Sequence, residues 1–166
     1  MEDIRIAGVV KESIVDGPGL RFTLFVQGCI HHCKGCHNPQ THDLNGGKMV
    51  NGERILEEIK KNPLLEGVTF SGGEPFLQPK ALYELGKKII DLGLDLITYT
   101  GYIFDELLNL EDEYVKKLIG LNTYIVDSKF ELDKKTYDIP FVGSSNQRII
   151  DVKKTIESKK IECVRF

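Results

Sequence analysis

Two kinds of apolar pattern alternate along the chain. RFTLFV (21–26), GVTF (67–70), LDLITYT (94–100) and TYIVD (123–127) are short, nearly continuous runs rich in β-branched and aromatic residues, which predicts buried strands. Between them, apolar residues recur three or four positions apart, the spacing of a helix with one buried face. GERILEEIKKNP puts Ile55, Leu56 and Ile59 on one face, with Pro63 just past the end. ALYELGKKIIDLG does the same with Leu82, Leu85, Ile89 and Leu92, and Gly93 supplies the stop. GYIFDELLN and EDEYVKKLIG read as two further helices, and GSSNQRIID and IECVRF as a closing pair of strands around a Lys-rich connection.

Strand, helix, strand, helix with continuous apolar strands is the signature of a parallel sheet covered by helices through right-handed crossovers. The expected fold class is therefore α/β. No internal repeat, low-complexity tract or linker interrupts the chain, so residues 1–166 read as one domain.

Charge and composition narrow the chemistry. A formal net charge of −3 argues against broad nucleic-acid affinity, which needs a surplus of Lys and Arg. The opening MEDIRIAGVV lacks the basic region and long apolar core of a signal peptide, and no apolar run approaches the ~18 residues of a membrane span. A cytoplasmic, membrane-free protein is expected, in a compartment where clustered cysteines are metal ligands or redox groups more often than disulfides. Cys163, alone near the C-terminus, is expected to be a small buried or half-buried apolar residue.

Ligands of parallel α/β folds bind at the carboxyl ends of strands, and the unusual residues fall there. Cys29 follows the strand ending at Val26, Ser71-Gly72-Gly73-Glu74 follows the strand ending at Phe70, Thr98 to Gly101 close the third strand, and Asp127 closes the fourth. All four features would share one rim. Cys29, Cys33 and Cys36 have C-x3-C-x2-C spacing, and no second pair lies elsewhere to complete a usual zinc site. A Cys3His zinc site closed by His31, His32, His37 or His42 is one reading. The other is a 4Fe-4S cluster, held by thiolates, with three of them leaving one iron free of protein. His31 and His32 otherwise read as solvent-exposed loop residues. In SGGEP the glycines allow close approach of a ligand to the backbone, Glu74 offers a carboxylate to an ammonium group, and Pro75 stiffens the exit; the bland alternative is a mere turn.

CxxxCxxC followed by GGEP resembles the radical S-adenosylmethionine superfamily. VDGPGLRFTLFVQGC, CHNPQTHD, FSGGEPF, YTGY and GSSNQR more narrowly resemble the glycyl-radical activases that serve anaerobic ribonucleoside-triphosphate reductase. The resemblance implies an open partial (β/α) barrel of mainly parallel strands with helices outside. It implies a 4Fe-4S cluster on Cys29, Cys33 and Cys36, with S-adenosylmethionine chelating the free iron and Gly72, Gly73 and Glu74 holding its amino group. Reductive cleavage, fed by a reduced flavodoxin-like donor, would yield methionine and a 5′-deoxyadenosyl radical that takes a hydrogen from a glycine of the reductase.

By the same resemblance Gly35, Cys36 and His37 lie against the adenosine. Thr100 and Asp127 lie near the methionine and ribose, and Asp127 with Lys129 fits a D-x-K pattern that frames a monovalent cation in related activases. Asp16 and Arg21 would face the partner's glycine loop, with Pro18 and Gly19 shaping the turn between them. Many superfamily members carry an aromatic residue where this chain has Gly35, which leaves adenine to backbone contacts and His37. An activase of another glycyl-radical enzyme such as pyruvate formate-lyase, a non-catalytic zinc module, and a radical enzyme acting on a small molecule are the competing readings.

Overall fold

The computed structural model describes residues 1–166. Eight strands form one sheet in the order β3-β1-β2-β4-β5-β6-β7-β8. Its centre is the parallel set β2 (Arg21–Val26), β4 (Gly67–Gly72), β5 (Asp95–Tyr99) and β6 (Tyr124–Asp127). β1 (Asp3–Ser13) and β3 (Lys48–Asn51) extend it antiparallel on one side. β7 (Arg148–Asp151) and β8 (Cys163–Val164) extend it antiparallel on the other. β3 and β8 are edges that do not meet, so the sheet is open, with a parallel centre and helices around it, the α/β class expected.

The helices are α1 (Gly52–Lys60), α2 (Pro79–Asp91), α3 (Phe104–Leu108), α4 (Glu113–Leu121) and α5 (Val152–Ser158). Local chemistry sets their ends. Asn51 caps α1 by accepting from the Glu53 amide, Pro79 opens α2, and Asp112 and Asp151 cap α4 and α5. Alternation along the strands then decides which side chains meet the helices. Phe22, Leu24 and Val26 of β2, Val68 and Phe70 of β4, and Leu96 of β5 join Ile55, Ile59, Leu82, Leu85, Ile89 and Leu118 in one core. The other face carries Thr23, Phe25, Ser71, Ile97, Tyr99 and Val126, and only Ile97, Val126 and Ile149 form a small apolar cluster there. No helix is long and apolar enough to cross a membrane.

Three elements depart from the sequence reading. The sequence pattern marks no strand over β1, because only Ile4, Ile6 and Ser13 of its eleven residues are buried and the alternation fades after Ile6. β3 is too short to carry a period. The Lys-rich connection before the last strand is the helix α5. Cys163 is exposed on edge strand β8 rather than buried.

Arg21 also departs from its expected place. It is fully buried at the start of β2 rather than on the surface. Its guanidinium donates to the Thr69 hydroxyl (2.8 Å), the Pro18 carbonyl (3.0 Å) and the Val68 carbonyl (2.9 Å), and pairs with Asp95. The fork therefore clamps the Gly17–Gly19 turn onto β4 and β5. Arg21→Leu would strand the buried Thr69 and Val68 acceptors and the half-buried Pro18 carbonyl, and is expected to cost about 3 kcal/mol, read as a lower denaturant midpoint of the apoprotein.

Candidate metal and cofactor site

A cleft of about 560 Å³ opens at the carboxyl ends of β2, β4 and β5. Cys29, Cys33 and Cys36 all line it, with Gly72, Gly73, Thr100 and Gly101. The cysteines come from the loop that leaves β2. Its two ends are stitched together: the Gly28 amide donates to the Thr41 carbonyl (2.7 Å) and the Cys29 amide to the His42 carbonyl (3.2 Å). The Gln27 side chain adds bonds to the carbonyls of Gln40 (3.0 Å) and Asp43 (2.9 Å). Within the loop, a tight turn brings the Cys36 amide to the Cys33 carbonyl (3.2 Å). Gly35 makes that turn at φ +75°, with Leu132 packed where a Cβ would stand.

All three thiols are free, Cys29 buried and the other two half-buried. Burial pushes the Cys29 and Cys33 thiols up, by disfavouring the thiolate, while the nearby Lys129 charge works against this at Cys33. The Asn38 amide points at the Cys36 sulfur at 3.4 Å.

The glycines of SGGEP do more than admit a ligand. Gly72 adopts φ +98°, and a Cβ there would stand 2.6 Å from both the amide nitrogen and the carbonyl oxygen of Val26. A Cβ on Gly73 would collide with the Gly28 carbonyl. In their absence the Gly73 amide donates to Val26 (2.9 Å) and the Glu74 amide to Gly28 (2.7 Å). The loop after β4 thus lies backbone to backbone on the cysteine loop.

Glu74 is fully buried and does not line the cleft. Its carboxylate accepts from His31 Nε2 (2.7 Å), the Thr100 hydroxyl (2.8 Å), the Gly101 amide (2.8 Å) and the Phe76 amide (3.0 Å). Protein donors enclose the group that was expected to meet an ammonium. His31, expected in solvent, is turned inward with a side chain 6% exposed.

Asp127 likewise turns away from the cleft. It is fully buried, caps α3 by accepting from the Phe104 amide (2.8 Å), and is gripped by both arms of Arg148, with Nε at 3.0 Å. A carboxylate closed in this way by an internal guanidinium does not frame a cation with Lys129, which is exposed. The rest of GSSNQR holds the loop after β6. Gln147 accepts from the Gly143 and Ser144 amides and donates to Ser128, while Asn146 donates to Lys129.

Asp16 remains at the cleft, where it accepts from the Ser13 (2.6 Å) and Thr23 (3.0 Å) hydroxyls. His37 lines the cleft and tilts against Phe130 with centroids 4.9 Å apart. Gly35 is exposed and does not line the cleft. Sequence reasoning missed Phe130 and Phe141, and gave Tyr99 only as part of the third strand's end, with no role of its own. Tyr99 donates to the Phe141 carbonyl (2.6 Å), and burial pushes its hydroxyl up. Only its place at a strand end signalled it.

The donor set fits an iron-sulfur cluster. Three thiols from one loop face one open cleft. No three His, Cys, Asp or Glu side chains converge to hold a single ion, and the histidines have other contacts, His31 with Glu74, His37 with Phe130, and His32 with His42. For the strand-end carboxylate the expectation is concrete. Arg148→Met leaves Asp127 buried without its countercharge and is expected to cost about 3 kcal/mol or more, largely recovered when Asp127→Asn is added, as read by chemical denaturation.

The family model of the 4Fe-4S single cluster domain matches residues 15–150. The anaerobic ribonucleoside-triphosphate reductase-activating protein of Escherichia coli K12 is 36% identical over 143 residues, covering 81% of this chain and 90% of the relative. Its namesake from Enterobacteria phage T4 is 31% identical over 142 residues, 81% of this chain and 86% of the relative. The pyruvate formate-lyase-activating enzyme of Clostridium pasteurianum is 31% identical over 136 residues, 70% of this chain but 57% of that longer protein. The chain belongs to the 4Fe-4S single cluster domain family and, within it, to the anaerobic ribonucleoside-triphosphate reductase-activating proteins.

Proposed function

We propose that this protein is a radical S-adenosylmethionine activase that generates the glycyl radical of anaerobic ribonucleoside-triphosphate reductase. Cys29, Cys33 and Cys36 hold one 4Fe-4S cluster, and S-adenosylmethionine occupies the cleft beside it. The observation that carries this reading is the meeting of three thiols with the Gly72-Gly73 and Thr100-Gly101 segments around a single cleft. When bound, the cluster supplies the electron that cleaves S-adenosylmethionine, and that cleavage supplies the power to take a hydrogen from the reductase glycine.

The chain's own residues bind, orient and exclude water. Burial of Cys29 and Cys33 favours their neutral forms further, so taking up metal has to displace their protons. Three cysteines leave one cluster corner to the methionine amino and carboxylate groups. Main-chain groups of Gly72 and Gly73, rather than the Glu74 carboxylate, meet the amino group, because that carboxylate is already enclosed. His37 and Phe130 offer ring faces to the adenine, so the aromatic surface missing at Gly35 arrives from the loop after β6. Val10, Val15, Phe141 and Val142 give the cleft an apolar flank, which keeps water from a reactive carbon. Asp16 stands on the wall nearest the Gly17–Gly19 turn, where a substrate glycine loop would enter. A reduced flavodoxin-like donor and a cytoplasmic setting complete the reading.

The match to the pyruvate formate-lyase-activating enzyme favours that lyase as the second substrate to try. The test is anaerobic. The protein is loaded with iron and sulfide, reduced, given S-adenosylmethionine and assayed for 5′-deoxyadenosine; the reductase is then added and a glycyl doublet sought by electron paramagnetic resonance. Cleavage and a doublet on the reductase are expected, and Cys33→Ala is expected to lose cluster and cleavage together. A fully loaded protein that cleaves nothing overturns the proposal, and a doublet on the lyase alone replaces the substrate.

A further inference from the structure

Between the first two cysteines the chain reads Cys29-Ile30-His31-His32-Cys33, and one of the three intervening side chains is turned inward. Ile30 is 48% exposed and His32 is exposed, whereas the His31 side chain is 6% exposed. The backbone takes a left-handed step at His32, φ +52°, a conformation uncommon outside glycine. His31 meets a prepared place. Its Nε2 donates to Glu74 at 2.7 Å, its ring packs edge-on against Tyr102 with centroids 4.8 Å apart, and Gly101 lacks the Cβ that would collide with it.

The same Glu74 oxygen accepts from the Thr100 hydroxyl and the Gly101 amide. The bond therefore joins the loops after β2, β4 and β5 at one atom. The ties Gly28–Thr41 and Cys29–His42 close only the base of the cysteine loop. Nearer Cys33 the loop meets Leu132 behind Gly35 and Phe130 beside His37, and the His31–Glu74 bond is what ties it to the loops after β4 and β5.

We propose that His31 is a positioning residue of the site. Acting through Glu74, it sets where the cysteine loop stands over the loops after β4 and β5, and so where the cluster's free corner meets S-adenosylmethionine. The inference rests on the reading of the cleft as an iron-sulfur site. It assigns Glu74 to the frame instead of to the cofactor. Groups that orient metal ligands without touching the metal typically govern its retention.

The test compares holoprotein carrying His31→Leu, which keeps bulk and removes the donor, with His31→Gln, which keeps an N–H of similar reach. In an anaerobic challenge with a ferrous chelator, His31→Leu is expected to lose iron about tenfold faster than the parent. His31→Gln is expected to restore retention close to the parent's, and in a Glu74→Gln background His31→Leu adds little. Titration with S-adenosylmethionine, followed by the spectrum of the reduced cluster, should show weaker binding by His31→Leu alone. Iron loss at the parental rate overturns the inference, as does an equal effect of His31→Leu with and without Glu74→Gln, or a fall in apoprotein stability with retention unchanged. Should the parent take up no cluster, the functional reading is what fails. Amide hydrogen exchange across residues 29–36 and at Gly101 in the apoprotein then decides the tie, with faster exchange in His31→Leu expected and unchanged exchange overturning it.

Discussion

A carboxylate with no exposure has to be supplied with donors, or its burial costs several kcal/mol. Glu74 is in that position, and the rest of the site depends on how it is supplied. His31 comes from the cysteine loop, Thr100 and Gly101 from the loop after β5, and Phe76 from the turn that leads into α2. Withdrawing any one segment leaves a buried charge short of a partner. Three loops, two of them carrying only a single short 3-10 turn, are thereby held in one arrangement. The Gly73–Gly28 contact adds a steric condition to this electrostatic one, since the two backbones approach too closely for a side chain at Gly73.

The same logic recurs along the sheet. At the end of β6, Asp127 is buried and closed by Arg148. At the start of β2, Arg21 is buried and binds the Gly17–Gly19 turn to β4 and β5. Each of these charged residues belongs to a motif that invites a ligand or partner role, and each is spent on the frame. What the cleft presents instead is the three thiols, main-chain groups of the glycine segments, Asp16, histidine and aromatic rings, and an apolar flank. That set suits a site whose bound cofactors carry the difficult chemistry, because the protein then has chiefly to position them and keep water away.

Much of the fold was legible in the sequence. The four parallel strands and the helices between them follow from unbroken apolar runs and three-to-four spacing, which are local signals. β1 escaped because Val9 to Glu12 are all exposed, on both faces of the strand, so its second half carries no alternation. Of the site, the cysteine triad and the glycine pair were legible because spacing and turn chemistry are properties of a few adjacent residues. His31 was read as solvated because two neighbouring histidines look alike in sequence, and only one of them finds a buried carboxylate.

By itself the sequence determined the order of strands and helices, the rim on which the unusual residues collect, and the three thiols within eight positions that can share one cluster. It also determined where the chain must turn through glycine. The tertiary structure alone decided what the charged side chains do. His31 reaches Glu74 across 43 positions, Arg21 reaches Asp95 across 74, and Arg148 reaches Asp127 across 21. Whether a carboxylate faces a ligand or the frame depends on burial and on the nearest opposite charge, and both are set by packing between segments far apart in the chain.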